Sequence, residues 1–275
     1  MNLKSFDKTG LSRQERYIID TFVGQGKLVI RAEDLLNILG PPTSNPHLIF
    51  SRLAKKGWLQ RLKAGVYRIV PLGSDSANPI PDDAWYIATE IFAPCYIGGW
   101  TAAEHWDLTE QIYNSTIVFT GKKQRAIKHN VAGLFFETHF IPENHIFGTQ
   151  RIWSNNQPIR ISDLHRTLID ILHDPSVGGG GRSLIDIARS YSKEEEFEPK
   201  KLWQYAVRLE SGAVFKRLGI IGEKILNMPE TMLDDIQLKC RQGIILLDPQ
   251  GPRTGPIHKR WGIRINIPLA DMHDT

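Results

Sequence analysis

The feature that most constrains this chain is the basic segment from residue 45 to residue 70, NPHLIFSRLAKKGWLQRLKAGVYRIV. It contains six lysines and arginines and no aspartate or glutamate. No acidic residue occurs anywhere between Asp34 and Asp75. A run of like charge is usually only a solvated surface, so its meaning depends on the secondary structure that carries it.

The first half of this segment has the pattern of a helix. Asn45 is a good N-cap, Pro46 suits the first helical position, and Gly57 ends the helix. With roughly 100° per residue, one side is apolar and the other is polar and cationic. The apolar side is formed by Pro46, Ile49, Phe50 and Leu53, and the polar side carries Ser44, His47, Leu48, Ser51, Arg52 and Lys55.

The second half predicts a two-stranded hairpin that turns at Lys63-Ala64-Gly65, where Gly65 can supply a positive φ. A helix with a cationic outer face followed by a basic hairpin is the order of a winged helix-turn-helix. In that fold the helix enters the major groove of DNA and the hairpin, or wing, follows the phosphates. The alternative is a solvated basic face on a small helical domain.

The residues before this segment complete such a module. Ser12 and Glu15 have capping-box spacing and predict a helix that runs to about Gly24. Residues 28–30 predict a short strand that pairs with the wing, and residues 32–39 predict a second helix. The expected core consists of Ile18, Phe22, Leu35, Leu39, Ile49, Leu53, Leu59 and Val66.

These patterns divide the chain into three parts. Residues 1–73 are predicted to form the winged helix-turn-helix, residues 74–82 a linker rich in Pro, Gly, Ser and Asp, and residues 83–275 a larger mixed α/β domain. The fold class is therefore α+β. The first 73 residues hold 12 Lys/Arg and 5 Asp/Glu, and the remainder holds 22 and 25. A basic module on a mildly acidic body indicates a polyanionic partner met at one end.

Composition also narrows the compartment. The chain has no apolar run of the roughly 18 residues that a membrane span needs, and its beginning lacks the apolar region of a signal peptide. We therefore expect no membrane contact and a cytoplasmic location. Cys95 and Cys240 are expected to be reduced thiols rather than a disulfide.

No motif predicts catalysis. Gly73-Ser74 is not followed by the Asp-x-Asp that a two-metal nucleotidyltransferase requires. The four glycines at 178–181 lack the Lys-Ser/Thr of a phosphate-binding loop. The remaining candidates match no zinc or nuclease spacing; they are Glu104, His105, His139, His145, His165, Glu223, Asp234, Asp235 and Asp248. The expectation is no catalytic residue, no metal and no cofactor.

An ordered set of motifs resembles the AbiEi family, the antitoxins of type IV abortive-infection toxin–antitoxin systems. The motifs span most of the chain. They are LAKKGWLQRL at 53–62 with Gly65-Val66-Tyr67, YIGGWTAA at 96–103 with His105-Trp106, RTLID at 166–170, Arg217-Leu218-Gly219, and Leu247-Asp248-Pro249 with Trp261 and Ile265-Asn266. His165 departs from the family pattern, in which an acidic or neutral polar residue is expected at that helix cap.

The resemblance implies a DNA-binding autorepressor of a two-gene operon. Family members bind double-stranded DNA at inverted repeats in their own promoter. They oppose a nucleotidyltransferase-like toxin without forming a stable complex with it. The C-terminal domain is implied to carry the antitoxin activity, and no residue pattern indicates how it does so.

The sequence therefore predicts a transcriptional autorepressor and antitoxin, and not an enzyme. The predicted DNA-binding residues are Ser44, Asn45, His47, Ser51, Arg52 and Lys55 on the helix, with Lys56, Arg61, Lys63 and Arg68 on phosphates. Two alternatives stay open. One is a nucleic-acid- or nucleotide-processing enzyme targeted by the winged helix, and the other is an adaptor whose winged helix binds a protein.

Overall fold

A computed structural model describes residues 10–39, 45–74, 76, 78–154 and 157–269. These residues form a mixed α/β structure with ten α-helices and three β-sheets. Internal contacts separate two compact units, one of Met1–Ile91 with Lys128–Phe136 and one of Phe92–Ile127 with Glu137–Thr275. The sequence-based boundaries at residues 73 and 83 stay a prediction. The first unit defined by contacts extends past both boundaries and includes residues 84–91.

The first unit alternates short helices and strands. In chain order they are α1 Arg13–Gly24, β1 Val29–Arg31, α2 Asp34–Leu39, α3 Pro46–Lys55, β2 Leu59–Lys63, β3 Val66–Ile69 and α4 Ala84–Phe92. The strands form an antiparallel sheet in the order β1-β3-β2, in which Val29 lies opposite Arg68 and Gln60 lies opposite Arg68 on the other side. The predicted pairing of an upstream strand with the hairpin is confirmed.

Local sequence explains where the helices begin and the hairpin turns. The Ser12 hydroxyl accepts from the Glu15 N–H at 3.2 Å and the Glu15 carboxylate accepts from the Ser12 N–H at 2.8 Å, which completes the capping box. The Asn45 side chain caps α3 by accepting from the His47 N–H at 3.0 Å. Gly65 adopts the positive φ of 74° that the turn between β2 and β3 requires.

The core of the first unit lies between its helices and its sheet. Seven of the eight predicted core residues are buried: Ile18, Phe22, Leu35, Ile49, Leu53, Leu59 and Val66. The eighth, Leu39, has a side chain outside the described part of the structure. Phe50 joins the helical and sheet layers, with edge-on ring contacts to Phe22 and Tyr67. The apolar side predicted for α3 is therefore the side that is buried.

The remaining strands and helices follow. The strands of the large sheet are β4 Cys95–Ile97, β5 Thr116–Thr120, β6 Lys128–Val131, β7 Leu134–Phe140, β8 Thr149–Ser154 and β9 Gln157–Ser162. The helices are α5 Gly99–His105, α6 Leu164–His173, α7 Gly181–Tyr191, α8 Pro199–Leu209, α9 Gly212–Lys224 and α10 Glu230–Lys239. The sheet order is β6-β7-β5-β4-β9-β8. The strand β4 pairs antiparallel with β5 and parallel with β9.

A small sheet closes the second unit. It consists of β10 Ile245–Leu246, β11 Ile257–His258 and β12 Ile263–Arg264, in the order β10-β12-β11. Trp261, which precedes β12, is completely buried, and its ring occupies the space that a side chain at Gly219 of α9 would need. The last strands thus supply part of the core that α6 to α10 form.

The start of α5 and the two cysteines are local features of the second unit. The helix α5 begins at Gly99 after Gly98, and the Thr101 hydroxyl accepts from the Ile117 N–H at 3.0 Å rather than capping the helix. Cys95 and Cys240 are free thiols, as predicted. Among the described helices, none combines the length and apolar character that crossing a bilayer would take.

Candidate nucleic-acid interface

The outer face of α3 is exposed and mostly polar, with Leu48 as its exposed apolar residue. Because Ile49, Phe50 and Leu53 are buried, the opposite side of the helix, with His47, Ser51, Arg52 and Lys55, faces solvent. Among the described residues, the side chains of Ser51, Arg52 and Lys55 have no hydrogen-bond or ion-pair partner. Asn45 is also exposed, with its side-chain oxygen engaged in the helix cap. Ser44 lies outside the described residues.

The first turn of α3 lies beside the hairpin turn. A Cβ atom built on Gly65 would lie 3.8 Å from Cε1 of His47, so the ring of His47 lies close to the tip of the hairpin. Arg61 is exposed on β2, where its Nε donates to the Lys63 carbonyl at 3.3 Å. The geometry brings the helix N-terminal turn and the hairpin turn onto one side of the unit.

Two of the predicted phosphate-binding cations are engaged inside the unit. Lys56 forms an ion pair with Glu15 at 2.7 Å and also donates to the Gly10 carbonyl at 3.2 Å. Burial opposes the charge on Glu15, but the contacts with Lys56 and Ser12 outweigh it and lower the pKa of that carboxyl. Lys63 donates to the Ile91 carbonyl at 2.6 Å. Both cations would have to exchange these contacts for phosphate.

Arg68 requires a correction. The sequence assigned it to phosphate, but its side chain is only 8% exposed. Its Nε donates to the Gln60 side-chain oxygen at 2.6 Å, and its Nη2 donates to the Pro79 carbonyl. Burial lowers the pKa of Arg68. The physical reason is that the Arg68 side chain lies between Gln60 of the neighbouring strand and Pro79 of the following segment, so that little of it reaches solvent. Arg68 therefore belongs to the interior rather than to the candidate interface.

The motif residues of the second unit form buried networks. Arg166 and Asp170 form an ion pair at 2.8 Å, and the Tyr96 hydroxyl contacts both, donating to Asp170 at 2.9 Å and accepting from Arg166 at 2.8 Å. Burial raises the pKa of Tyr96 well above its usual value. Since Arg166 is 0% exposed and Asp170 is 3% exposed, this group lies in the interior and holds β4 against α6.

Arg217 plays a similar part at the other end of α6. Its guanidinium donates to four backbone carbonyls, those of Leu172, His173, Leu246 and Leu247, at 2.8 to 3.2 Å. Burial lowers the pKa of Arg217 to about 10. The side chain thereby joins the end of α6 to β10 and satisfies carbonyl groups that water does not reach.

The four-glycine segment leads into the N-terminus of α7, where a carboxylate of the same chain accepts a hydrogen bond. The N–H of Gly181, at the start of α7, donates to the Asp248 carboxylate at 3.1 Å. A side chain at Gly181 would overlap Asp248. A carboxylate at a helix N-terminus takes the position that an anionic ligand would otherwise take. Asn266 holds Asp248 in place by bonding its N–H and carbonyl at 3.0 and 2.8 Å.

The remaining candidate side chains do not converge. His165 is buried, with its Nδ1 3.3 Å from the Tyr191 hydroxyl, while Asp163 caps α6 by accepting from the Arg166 N–H at 2.7 Å. Burial lowers the pKa of His165. In the part of the chain that the structure describes, no three His, Cys, Asp or Glu residues are grouped as metal ligands.

The sequence analysis did not identify the side chains that bind Arg68 and Lys56 and so determine which cations can contact DNA. Gln60 was not singled out, although it binds Arg68 across the β2–β3 ladder, and Glu15 was identified only as a capping residue. The strand pattern carried a usable signal for the first of these, since Gln60 and Arg68 lie symmetrically about the hairpin turn.

Comparison with known proteins adds a likeness of fold. The crystal structure of the Rv2827c protein from Mycobacterium tuberculosis superposes with a TM-score of 0.64 at 12% sequence identity, over 94% of this chain and 92% of that chain. At this identity the likeness concerns the fold alone. No family model and no curated protein matches the sequence.

Proposed function

We propose that this protein binds double-stranded DNA in a sequence-specific way through a winged helix-turn-helix in its first unit. The single observation that supports this most is the outer face of α3, where Ser51, Arg52 and Lys55 are exposed without partners in the described structure. The major groove admits an α-helix. In this docking mode the N-terminal residues, here Asn45 and His47, reach base edges, and Arg52 and Lys55 in the last turn contact bases or adjacent phosphates. In the proposal Arg61 contacts phosphate as part of the wing.

The proposed biological role extends to autorepression and antitoxin activity. It is supported by the resemblance of the ordered motifs to AbiEi antitoxins. The target would be inverted repeats in the protein's own promoter, in the cytoplasm. The second unit would oppose a nucleotidyltransferase-like toxin without a stable complex. We assign no catalytic step to that unit, because the acidic residues of its motifs, Asp170 and Asp248, are used in internal contacts.

A gel-shift titration tests the DNA-binding proposal. The full chain is titrated onto its own upstream region and onto a scrambled duplex of equal length, at two salt concentrations. Tighter binding to the upstream duplex that persists at the higher salt is the expected result. Equal binding to both duplexes, with a steep loss at higher salt, would reduce the proposal to nonspecific phosphate attraction.

A co-expression experiment tests the antitoxin part separately. The gene adjacent to this one in its operon is induced alone or together with this chain, and growth is measured. Restored growth without co-elution of the two proteins is expected. Continued growth arrest, at equal expression of the folded chain, would contradict the antitoxin role whatever the DNA result.

A further inference from the structure

The β8–β9 hairpin carries two arginines directly opposite each other. In the antiparallel pairing Arg151 lies across from Arg160, and the next pair on the same side of the ribbon is Trp153 with Pro158. All four residues are exposed, and Trp153 is 69% exposed. Neither arginine has a hydrogen-bond or ion-pair partner among the described residues. The ribbon therefore exposes two guanidinium groups next to one indole ring.

This arrangement is unfavourable for the hairpin by itself. Directly opposed residues of an antiparallel pair have side chains only about 5 Å apart at Cβ, so like charges there are destabilising. No acidic residue occurs between Glu143 and Asp163 to offset them. The strand β8 is also the last in its sheet order, where a row of backbone groups is left open. A bound anion would reduce the repulsion between Arg151 and Arg160, which no acidic residue of the hairpin offsets.

We propose that the ribbon formed by Arg151, Trp153 and Arg160 is a binding site for single-stranded nucleic acid. Each guanidinium can contact phosphate in a bidentate manner, and the indole offers a face on which an unpaired base stacks. The phosphates of a duplex can bind the two arginines, but its bases are already stacked on one another and cannot stack on Trp153. An acidic peptide likewise satisfies only the arginines, so the exposed tryptophan favours an unpaired strand.

The ribbon and the proposed duplex-binding face consist of different residues. The ribbon belongs to the second unit and α3 belongs to the first. Failure of one proposal therefore leaves the other standing, and variants on the two faces distinguish them.

The test uses fluorescence anisotropy of the full chain with 12-nucleotide probes of one mixed sequence, as RNA and as DNA, at two salt concentrations. The double variant Arg151→Gln/Arg160→Gln is expected to lose about tenfold or more in affinity and to show a shallower salt dependence. Trp153→Ala is expected to lose about fivefold or more, because stacking is removed while charge is kept. A preference for RNA over DNA or the reverse identifies which strand the site serves.

The matched control is Arg241→Gln/Lys259→Gln, which removes the same charge from exposed cations beside α10 and β11. It should retain single-strand affinity within about twofold, as should Arg52→Gln/Lys55→Gln on α3. Equal loss in either control would overturn the proposal, because binding would then follow net charge or use α3. Full competition by polyglutamate, or unchanged affinity in both ribbon variants, would also overturn it.

Discussion

Arg68 and Gln60 face each other across the β2–β3 ladder, with the guanidinium Nε donating to the side-chain oxygen at 2.6 Å. The same guanidinium reaches the Pro79 carbonyl, so the pair links the hairpin to the segment that follows it. Arg68, which the sequence suggested as a phosphate contact, is thus a buried side chain that links two segments of the first unit. The separation of buried from exposed cations determines which substitutions should affect DNA and which should affect stability.

Arg68→Ala should destabilise the first unit by about 2 to 4 kcal/mol, because it leaves the buried Gln60 oxygen without a donor and removes the link to the Pro79 carbonyl. Arg61→Ala, on the exposed side of the same hairpin, should change stability by less than about 0.5 kcal/mol. Hydrogen exchange of the 59–69 peptides in both variants measures the difference. Equal protection in the two variants would contradict the buried role of Arg68.

Arg61→Ala should instead affect DNA binding. Loss of one phosphate contact should weaken binding to specific and scrambled duplexes alike and reduce the salt slope by about 1. Arg52→Gln should reduce affinity for the upstream duplex more than for the scrambled one, because in the proposed docking mode Arg52 contacts the bases. Gel-shift titrations at several salt concentrations give both quantities. An unchanged slope for Arg61→Ala would remove the hairpin from the interface.

Glu15 should make the first unit sensitive to acid. Its pKa is lower in the folded state than in the unfolded state, because the contacts with Lys56 and Ser12 outweigh burial. The stability that it contributes is therefore complete above its unfolded pKa, about 4.3, and is lost as the pH falls through the lower folded value. Glu15→Gln should be less stable than the parent chain at pH 7, with a difference that narrows below about pH 4. Exchange protection of α1 from pH 3 to pH 7 measures it, and a constant difference across that range would refute the assignment.

Arg217→Lys should destabilise the second unit by about 3 kcal/mol or more. A single ammonium cannot replace the planar guanidinium that serves four carbonyls in two directions, and buried carbonyls without donors are costly. Lys224→Arg, at the exposed end of the same helix, provides a comparison that exchanges the two cationic side chains where no buried carbonyl depends on them. Chemical denaturation followed by Trp fluorescence measures the loss. If Arg217→Lys unfolds at the same denaturant concentration as the parent chain, the carbonyl contacts contribute little.

The sequence predicted those parts of the fold that depend on neighbours along the chain. Ser12, Asn45 and Gly65 act within four residues of themselves, so their roles could be inferred from spacing and backbone preference. The apolar side of α3 followed from helical periodicity. The short apolar run at residues 28–30 indicated a strand that pairs with the hairpin, as β1 does with β3.

Contacts between residues far apart in the chain could not be predicted in this way. Asp248 and Gly181 are separated by 67 positions, and Arg217 meets carbonyls that are 29 to 45 positions away. The pairing of Gln60 with Arg68 could be inferred from the hairpin, but the contact of Arg68 with the Pro79 carbonyl, 11 positions away, could not. The polar side of α3 is exposed as its pattern predicted, and its role as an interface stays a prediction, while Arg68 is buried and leaves the set of exposed cations.

The placement of Trp261 and Asn266 bears on how the chain is made. Trp261 fills the space beside Gly219, and Asn266 fixes the acid that closes the start of α7. Both lie near the end of the sequence, whereas the groups that they complete are synthesised much earlier. During translation the second unit consequently remains unfinished until residue 266 has left the ribosome, and a nascent chain that stalls before that point exposes an incomplete core to chaperones and proteases.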